Sequence, residues 1–545
     1  MNPGKNLIGF NIGPIYEVMK HSKKTRELWF GSYLFSMLVK MVYDKLNKDV
    51  YTVLKPFSGE DALEKSTAGL FPDRIVATTS KSKEDVSTDF NKITNEVRKE
   101  IATIINNLIK TECSRIITDK DKKNHQAAKK LNDSTGKIIK EYLQLDFVVI
   151  PQNEIDDKDI IKEVESYLDA IEVNRSFTLG KNDPTCYRCK TLPATVEVIE
   201  WENEELIEQK LCPLCFLKLR SHLSNEIIEL TGIKEKQPFP PIDRIAGVEF
   251  KKNYSHLFKI NIGEAENNLY ENPEINDNVK DYHKYYALYM ADGDNLSKVA
   301  KNLNTPEELS KYLFSFGKSV HDISKNAFKG EPIYIGGDDI FAIMPFAFND
   351  NDGIKTILDF ATRINTLYNE QVAGKITGAN TDKTSLSAGI VIAYHKYPLS
   401  IAMEEVQNQL FGVAKQINNK NGLAVKFIQH SGADSSFQMR FDDPILSIFS
   451  ELYKSVLSSE KGFPSVHHKI DKYKTLLMNL GNEIQLDNLL EKRFYEGFEN
   501  EKQKELFTAL IKTSLIKFPK GKQAEEELER VGNMIHVLKF IKGEK

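Results

Sequence analysis

Four carboxylates stand in two short glycine-bearing stretches, Asp292-Gly293-Asp294-Asn295 and Gly336-Gly337-Asp338-Asp339. The first ends an apolar run, Tyr285 to Ala291, that reads as a strand. The second lies between two apolar runs, Ile333 to Ile335 and Ile340 to Met344, and reads as a tight hairpin. If the first strand neighbours the hairpin, Asp292 and Asp338 meet at one sheet edge. Carboxylates at strand ends hold divalent cations through hard oxygen ligands. Two such cations activate a ribose 3′-hydroxyl and stabilise a leaving pyrophosphate. Asp339 reads either as a further ligand or as a proton acceptor. Gly293, Asp294, Asn295, Gly336 and Gly337 are the candidate nucleotide contacts, because glycine admits a phosphate close to the backbone and its amide can bind it. Glycine and aspartate are also ordinary turn residues. The flanking strands, and the 46 positions from Asp292 to Asp338, favour the catalytic reading over a plain turn.

Other elements must position these groups. Thr305-Pro306-Glu307-Glu308 reads as a capping box with proline at the first helical position. Behind it Leu309, Leu313, Phe316, Val320 and Ile323 form one apolar stripe to lie on a sheet. Ser385 to Ala393 reads as a further strand, in which Gly389 marks a close backbone approach. Lys415, near the end of the next helix, is either a phosphate-contacting point charge or a favourable cation at a helix C-terminus. A separate constellation is Cys186-x-x-Cys189 and Cys212-x-x-Cys215, two knuckles that suit one structural Zn²⁺ held by four thiolates. A redox dithiol needs only one such pair. Cys113 stands apart from them.

The whole chain bounds the rest. Its 545 residues suggest three or four domains. A net charge of −4 argues against a protein that coats nucleic acid through one dominant basic face, while leaving local contacts open. No secretory signal and no membrane-spanning run is expected, and cysteine usage fits a reduced, cytoplasmic setting. Leu7 to Ile12 reads as a strand and residues 17–45 as a helix. Residues 81–143 read as polar and helical, with Lys120, Lys122, Lys123, Lys129 and Lys130 either a solvated helical face or a phosphate contact, the solvated face being favoured. Residues 145–151 read as a strand, 236–245 as a proline-rich boundary, and everything after about 440 as helical.

A strand ending in aspartate, a helix, a Gly-Gly-acid-acid hairpin and a late Ala414-Lys415 resemble both the GGDEF cyclases and the large subunit of type III CRISPR complexes. The N-terminus separates the two. Ile12-Gly13-Pro14, the stretch Arg26-Glu27-Leu28-Trp29-Phe30-Gly31-Ser32-Tyr33-Leu34-Phe35-Ser36, and Phe71-Pro72-Asp73-Arg74 resemble the Cmr-type large subunit. So does Asn421-Gly422-Leu423-Ala424-Val425 with Ser431-Gly432. The resemblance implies an α+β chain of four parts. These are a first ferredoxin-like palm at 1–180 with a helical insertion at about 81–143, and a zinc-bearing helical domain at 181–280. A second, catalytic palm follows at 281–432, then a helical C-terminal domain at 433–545. It implies Asp292 and Asp338 as ligands of Mg²⁺ or Mn²⁺, Asp339 as the second acid and Lys415 as a phosphate contact. ATP is the implied substrate, and the implied partners are other Cmr-type subunits, crRNA and target RNA. The first palm has no acid before Glu17, so it cannot build the same metal site.

Two departures bear on function. The first 120 residues hold one histidine, His21, and the one His-Asp dipeptide is His321-Asp322, so an HD nuclease is not expected. Tyr16 stands where the Cmr-type pattern reads Gly-Pro-Val-Gln, near the presumed acceptor pocket. The resemblance implies cyclic oligoadenylate as the usual product and, for Cmr-type large subunits without an HD domain, the conjugate of ATP with S-adenosylmethionine (SAM-AMP) as the other candidate. The competing readings are a stand-alone GGDEF-like cyclase, a template-dependent polymerase and a catalytically inert scaffold subunit.

Overall fold

The computed structural model describes residues 5–541 apart from 57–67, 70, 120, 152–159, 174–183, 203–204, 226, 228, 230–238, 260–267, 301–302, 304, 377–382, 460–465, 481–482, 497, 499 and 518–521. Helices and two main sheets alternate along it. The N-terminal sheet has the order β2-β3-β1-β7, built from β1 (Asn6–Gly13), β2 (Thr52–Lys55), β3 (Arg74–Thr79) and β7 (Gln144–Pro151). Alternation decides its two faces. Ile8, Phe10 and Ile12 of β1 enter a core with the helices Thr25–Lys45 and Lys83–Ser114. Leu7 faces the helix Ile160–Val173 on the other side. Gly9 lies under that helix, where a Cβ would come within 2.5 Å of Val164, so the helix seats on β1 only over a glycine.

The insertion departs from the helical expectation. After residue 114 the chain forms β4 (Ile116–Thr118), β5 (Asn124–Gln126) and β6 (Ala128–Lys130) before the helix Thr135–Tyr142. Lys122 and Lys123 lie on the β4–β5 hairpin and Lys129 and Lys130 on β6, not on a helix face; Lys120 lies outside the described residues. β6 pairs with β8 (Val196–Glu202), which pairs with β9 (Glu205–Leu211). The cysteine-bearing region therefore packs around a three-stranded sheet and the helix Pro213–Arg220, where the sequence suggested helices alone.

A buried ionic chain fastens this region to the N-terminal sheet. Arg188 donates to both carboxylate oxygens of Glu27 at 2.6 and 2.8 Å and to Glu200 at 2.8 Å. Arg220 continues the chain from Glu200 to Glu112. Removing one member strands a buried charge. Arg188→Ala is expected to destabilise the fold by about 3–5 kcal/mol, read as a lower denaturation midpoint in urea. A change under about 1 kcal/mol would show that the chain contributes little.

The second sheet has six strands in the order β11-β12-β10-β15-β16-β17. They are β10 (Tyr285–Asp294), β11 (Glu331–Gly336), β12 (Asp339–Pro345), β15 (Ser385–Tyr394), β16 (Gly422–Ile428) and β17 (Asp434–Arg440). A small hairpin, β13 (Ala347–Asp350) and β14 (Gly353–Thr356), leaves the sheet after β12. All pairs are antiparallel except β15 with β16. Tyr289 and Ala291 face the helices Pro306–Asp322 and Ile357–Gln371. Tyr286 and Leu288 face the opposite way, into a cluster shared with Met19 and Leu28 of the N-terminal half. Pro306 takes the first helical turn as expected, but Thr305 makes no side-chain cap bond. The close approach at Gly389 is real: a Cβ there would meet Leu410 N at 2.5 Å. The helices from Pro444 to Ile541 share one core with this sheet.

Candidate active site and metal centre

β10 lies between β12 and β15, so its end is held on both sides. Ala291 pairs with Ile340, the residue after Asp339 at the start of β12, and the charge of Asp292 acts on Asp339. Gly336 pairs with Asp339 across a two-residue turn in which Gly337 has φ +71°, a conformation that favours glycine. Asp338, at the tip, leans back over β10. A Cβ on Gly293 would come within 2.7 Å of its Oδ2. Asp292, Asp338 and Asp339 are thus gathered by register and by a missing side chain.

Lys415 joins them from the short helical turn Ala414–Gln416. Its Nζ donates to Asp292 Oδ1 and, at 3.3 Å, to the carbonyl of Gly293. The ammonium therefore faces the carboxylates, and is not simply a cation at a helix end. The six-residue π-helical segment Asn408–Val413 precedes it, a distortion frequent at functional sites.

The other named residues divide. Asp294 is buried, and its Oδ2 accepts from Ser385 and Ser387 at 2.7 Å and from the Asn421 amide at 3.2 Å. It clamps the end of β10 onto β15 and the start of β16. Asn295 is exposed with φ +56° and starts the short helix Leu296–Ala300. The space beside Gly336 is filled by the Tyr334 ring. Tyr16 packs into the cluster between the two halves with Met290 and Tyr334. Burial, with the negative charges of Glu404 and Glu17, pushes its phenol up to about 12.

Electrostatics set the character of the acidic edge. Burial, then the charge of Asp292, pushes Asp338 up to about 7, with Lys55 acting against them. Burial and the charges of Asp292, Asp338 and Asp73 push Asp339 well up. Such a donor set carries more negative charge than its surroundings balance. It fits hard divalent cations, which would hold the carboxylates ionised. Beside it lies a cavity of about 210 Å³, lined by Gly293, Asn295, Ser310 and Asp338 and, from the N-terminal half, Lys55 and Glu165. Local sequence gave no signal for Lys55 or Glu165, because only the packing of the two halves brings them there.

Gly293→Ala tests this geometry. The added methyl displaces Asp338, and a displaced ligand support typically costs about 10–100-fold in metal affinity. Titration with Mn²⁺ followed by electron paramagnetic resonance is expected to show that loss; unchanged affinity would separate Asp338 from the cation site.

The four cysteines are brought together at a second place, away from this edge. Cys186, Cys189, Cys212 and Cys215 are buried, with their sulfur atoms all within 4.8 Å of one another. Cys189 and Cys212 lie 3.9 Å apart. Tetrahedral Zn²⁺ with Zn–S of about 2.3 Å requires sulfurs about 3.8 Å apart, so the set fits that ion. Mutual hydrogen bonding lowers Cys186, while burial raises Cys212. Cys113 lies outside the group.

Residues 7–110 match the family model described as CRISPR-associated protein Cmr2, N-terminal. Residues 285–424 match that described as Cas10/Cmr2, second palm domain. The chain is 22% identical to CRISPR system Cmr subunit Cmr2 of Pyrococcus furiosus, over 98% of this chain and 74% of that protein. Its fold is similar to a chain of the type III-B Cmr-beta complex seen by cryo-electron microscopy. In the apo state the TM-score is 0.61 at 13% identity, covering 91% of this chain and 77% of that one. With cognate target RNA bound to that complex, the TM-score is 0.59 at 13% identity, covering 91% and 79%. Among the described residues no helix is long and apolar enough to cross a membrane.

Proposed function

Since this chain belongs to the Cas10/Cmr2 family of CRISPR large subunits, we propose that it is the nucleotidyltransferase of a type III-B effector complex. It joins ATP through a 3′–5′ phosphodiester into a second messenger for antiviral defence, in response to target RNA. The observation that carries this reading is the meeting of Asp292, Asp338, Asp339 and Lys415 at one sheet edge beside a cavity.

In this reading Asp292 and Asp338 hold Mg²⁺ or Mn²⁺, which when bound activates the acceptor 3′-hydroxyl and neutralises the leaving pyrophosphate. Asp339 is the second acid beside them. Lys415 keeps Asp292 in place and, with nucleotide bound, presents its charge to phosphate. Asp294 fixes the strand end that carries Asp292. The N-terminal and six-stranded sheets are the first and second palms, 1–180 and 281–432. Residues 181–280 carry a structural Zn²⁺ on the four cysteines, and 433–545 form the helical C-terminal domain. Other Cmr-type subunits, crRNA and target RNA are the partners, in the cytoplasm. A stand-alone cyclase leaves the Cmr2-type N-terminus and the cysteine site without a role, and an inert scaffold leaves the acidic edge without one.

The test is a product assay. The complex assembled with crRNA receives matching target RNA, Mg²⁺ or Mn²⁺ and labelled ATP, with and without S-adenosylmethionine. A product from ATP alone establishes oligoadenylate synthesis. A product formed only with S-adenosylmethionine establishes the SAM-AMP conjugate. No product in either arm leaves the scaffold reading.

A further inference from the structure

The cavity beside the Gly-Gly-Asp-Asp turn has walls from both halves of the chain. On one side are Gly293, Asn295 and Asp338. On the other are Lys55, the last residue of β2, and Glu165, on the helix Ile160–Val173. That arrangement follows from packing: β2 lies against the helix Pro306–Asp322, and the helix Ile160–Val173 against Leu296–Ala300.

Lys55 Nζ donates to Glu165 at 2.9 Å, and both side chains are mostly buried. A pair of this kind ordinarily serves as a strap between packed units. Here both partners belong to the N-terminal half, where the helix of Glu165 already packs through Val164 and Leu168 on Leu7 and Leu54. The ion pair therefore joins nothing that the apolar cluster does not. What it does is hold an ammonium at the wall of a cavity whose other wall carries a catalytic carboxylate. Among the described residues Lys55 is the one cation lining that cavity. Burial alone would lower its pKa, but the carboxylates of Glu165, Asp338 and Asp73 more than offset that, so it stays protonated.

The volume identifies the ligand class. Pockets that enclose a whole small molecule run from about 300 Å³ upward. A cavity of about 210 Å³ takes part of a nucleotide. Its lining is more polar than apolar: Leu296, Leu309 and Leu313 are its apolar part, beside Lys55, Glu165, Asn295, Ser310 and Asp338. Those features suit an anionic phosphate tail.

We propose that Lys55 is a phosphate-binding residue of the nucleotidyl-transfer site, supplied by the N-terminal half and aimed by Glu165 at the β- and γ-phosphates of the donor nucleotide. This rests on reading the Gly-Gly-Asp-Asp edge as the transfer centre. In that transfer the acceptor 3′-oxygen bonds to the α-phosphorus, the bond from the α-phosphorus to the α,β-bridging oxygen breaks, and pyrophosphate leaves with the electron pair. The hydroxyl proton passes to solvent. Lys55 keeps its own proton throughout and balances charge on the leaving group.

The experiment uses the assembled complex with Lys55→Gln, Lys55→Arg and Glu165→Gln. The readouts are kcat and KM for ATP, and displacement of a fluorescent non-hydrolysable ATP analogue by pyrophosphate. A hydrogen bond to a charged group corresponds to about ten- to hundredfold in affinity. Lys55→Gln is expected to raise the KM for ATP and weaken pyrophosphate binding by that factor, with a smaller change in kcat. Lys55→Arg is expected to restore most of it. Glu165→Gln, whose amide oxygen still accepts from Lys55, is expected to weaken pyrophosphate binding by clearly less than Lys55→Gln does. Equal losses in Lys55→Gln and Glu165→Gln would mark a merely structural pair and overturn the proposal. So would unchanged pyrophosphate binding in Lys55→Gln. A wild-type complex that forms no product and binds no analogue would instead fail the reading of the transfer centre itself.

Discussion

Alanine at both Asp338 and Asp339 lowers product formation by the assembled complex at least about a thousandfold, the equivalent of some 4 kcal/mol of transition-state stabilisation. The same substitution does not harm the fold. Both carboxylates are pushed up by burial and by the charge of Asp292, so the folded chain holds them against an unfavourable field. The sign follows directly. A carboxyl whose pKa is higher folded than unfolded adds stability below its unfolded pKa, and that contribution is lost as pH rises through the folded value. For Asp338 the window runs from the ordinary carboxylate range to about 7. Without divalent cations, the melting temperature of the variant should therefore match or exceed that of the wild type. The difference should grow as pH is raised across that window. Loss of activity with gain of stability is the mark of a site held under strain for function. Activity retained above about a hundredth of wild type would remove these two residues from the centre. A variant that melts earlier at every pH would make the turn a structural element instead.

That site was legible because its parts are local or regular. The apolar strands and the glycines at the turn are written in consecutive residues, and a strand-terminal aspartate beside a hairpin needs only an antiparallel pairing to meet it. What stayed hidden depends on distance along the chain. Lys130 pairs with Val196 in a strand too short and too polar to show alternation. Lys55 and Glu165 reach the cavity only because the first sheet docks against the helices around the turn. The role of Asp294 was hidden for another reason. Two carboxylates two residues apart in one strand look alike in sequence, yet Ser385, Ser387 and Asn421 claim the second as a clamp. The hairpin of β8 and β9 had only a brief signal, Val196 and Val198 on either side of Glu197, which apolar Ile199 already breaks. The buried Glu200 interrupts it again, being paired with Arg188 and Arg220 where an apolar residue would be expected.

Changing Cys212 and Cys215 to serine is expected to remove zinc from the purified chain and to lower its melting temperature by at least about 10 °C, or to prevent its recovery in folded form. The four thiols are not on a detachable knuckle. They share one buried cluster with Phe10, Ile12 and Phe30 of the N-terminal sheet and its helix. Structural zinc supplies about 10–16 kcal/mol of apparent binding energy in small peptides, comparable to the whole stability of a typical domain. Arg188, between Cys186 and Cys189, reaches Glu27, and Lys218, just after Cys215, reaches Val18 and Ser22. The helices so held carry Met19 and Leu28 into the cluster between the two halves of the chain. Loss of the ion therefore loosens the surface on which the six-stranded sheet rests, although no cysteine lines the cavity. Elemental analysis is expected to give one zinc per chain in the wild type and in Cys113→Ser, and none in the double variant. Prolonged chelation should abolish product formation in a way that Zn²⁺, and not Mg²⁺ alone, restores. A zinc-free chain that melts and reacts like the wild type would leave the four cysteines as a packed thiol cluster and break the link from metal to interface.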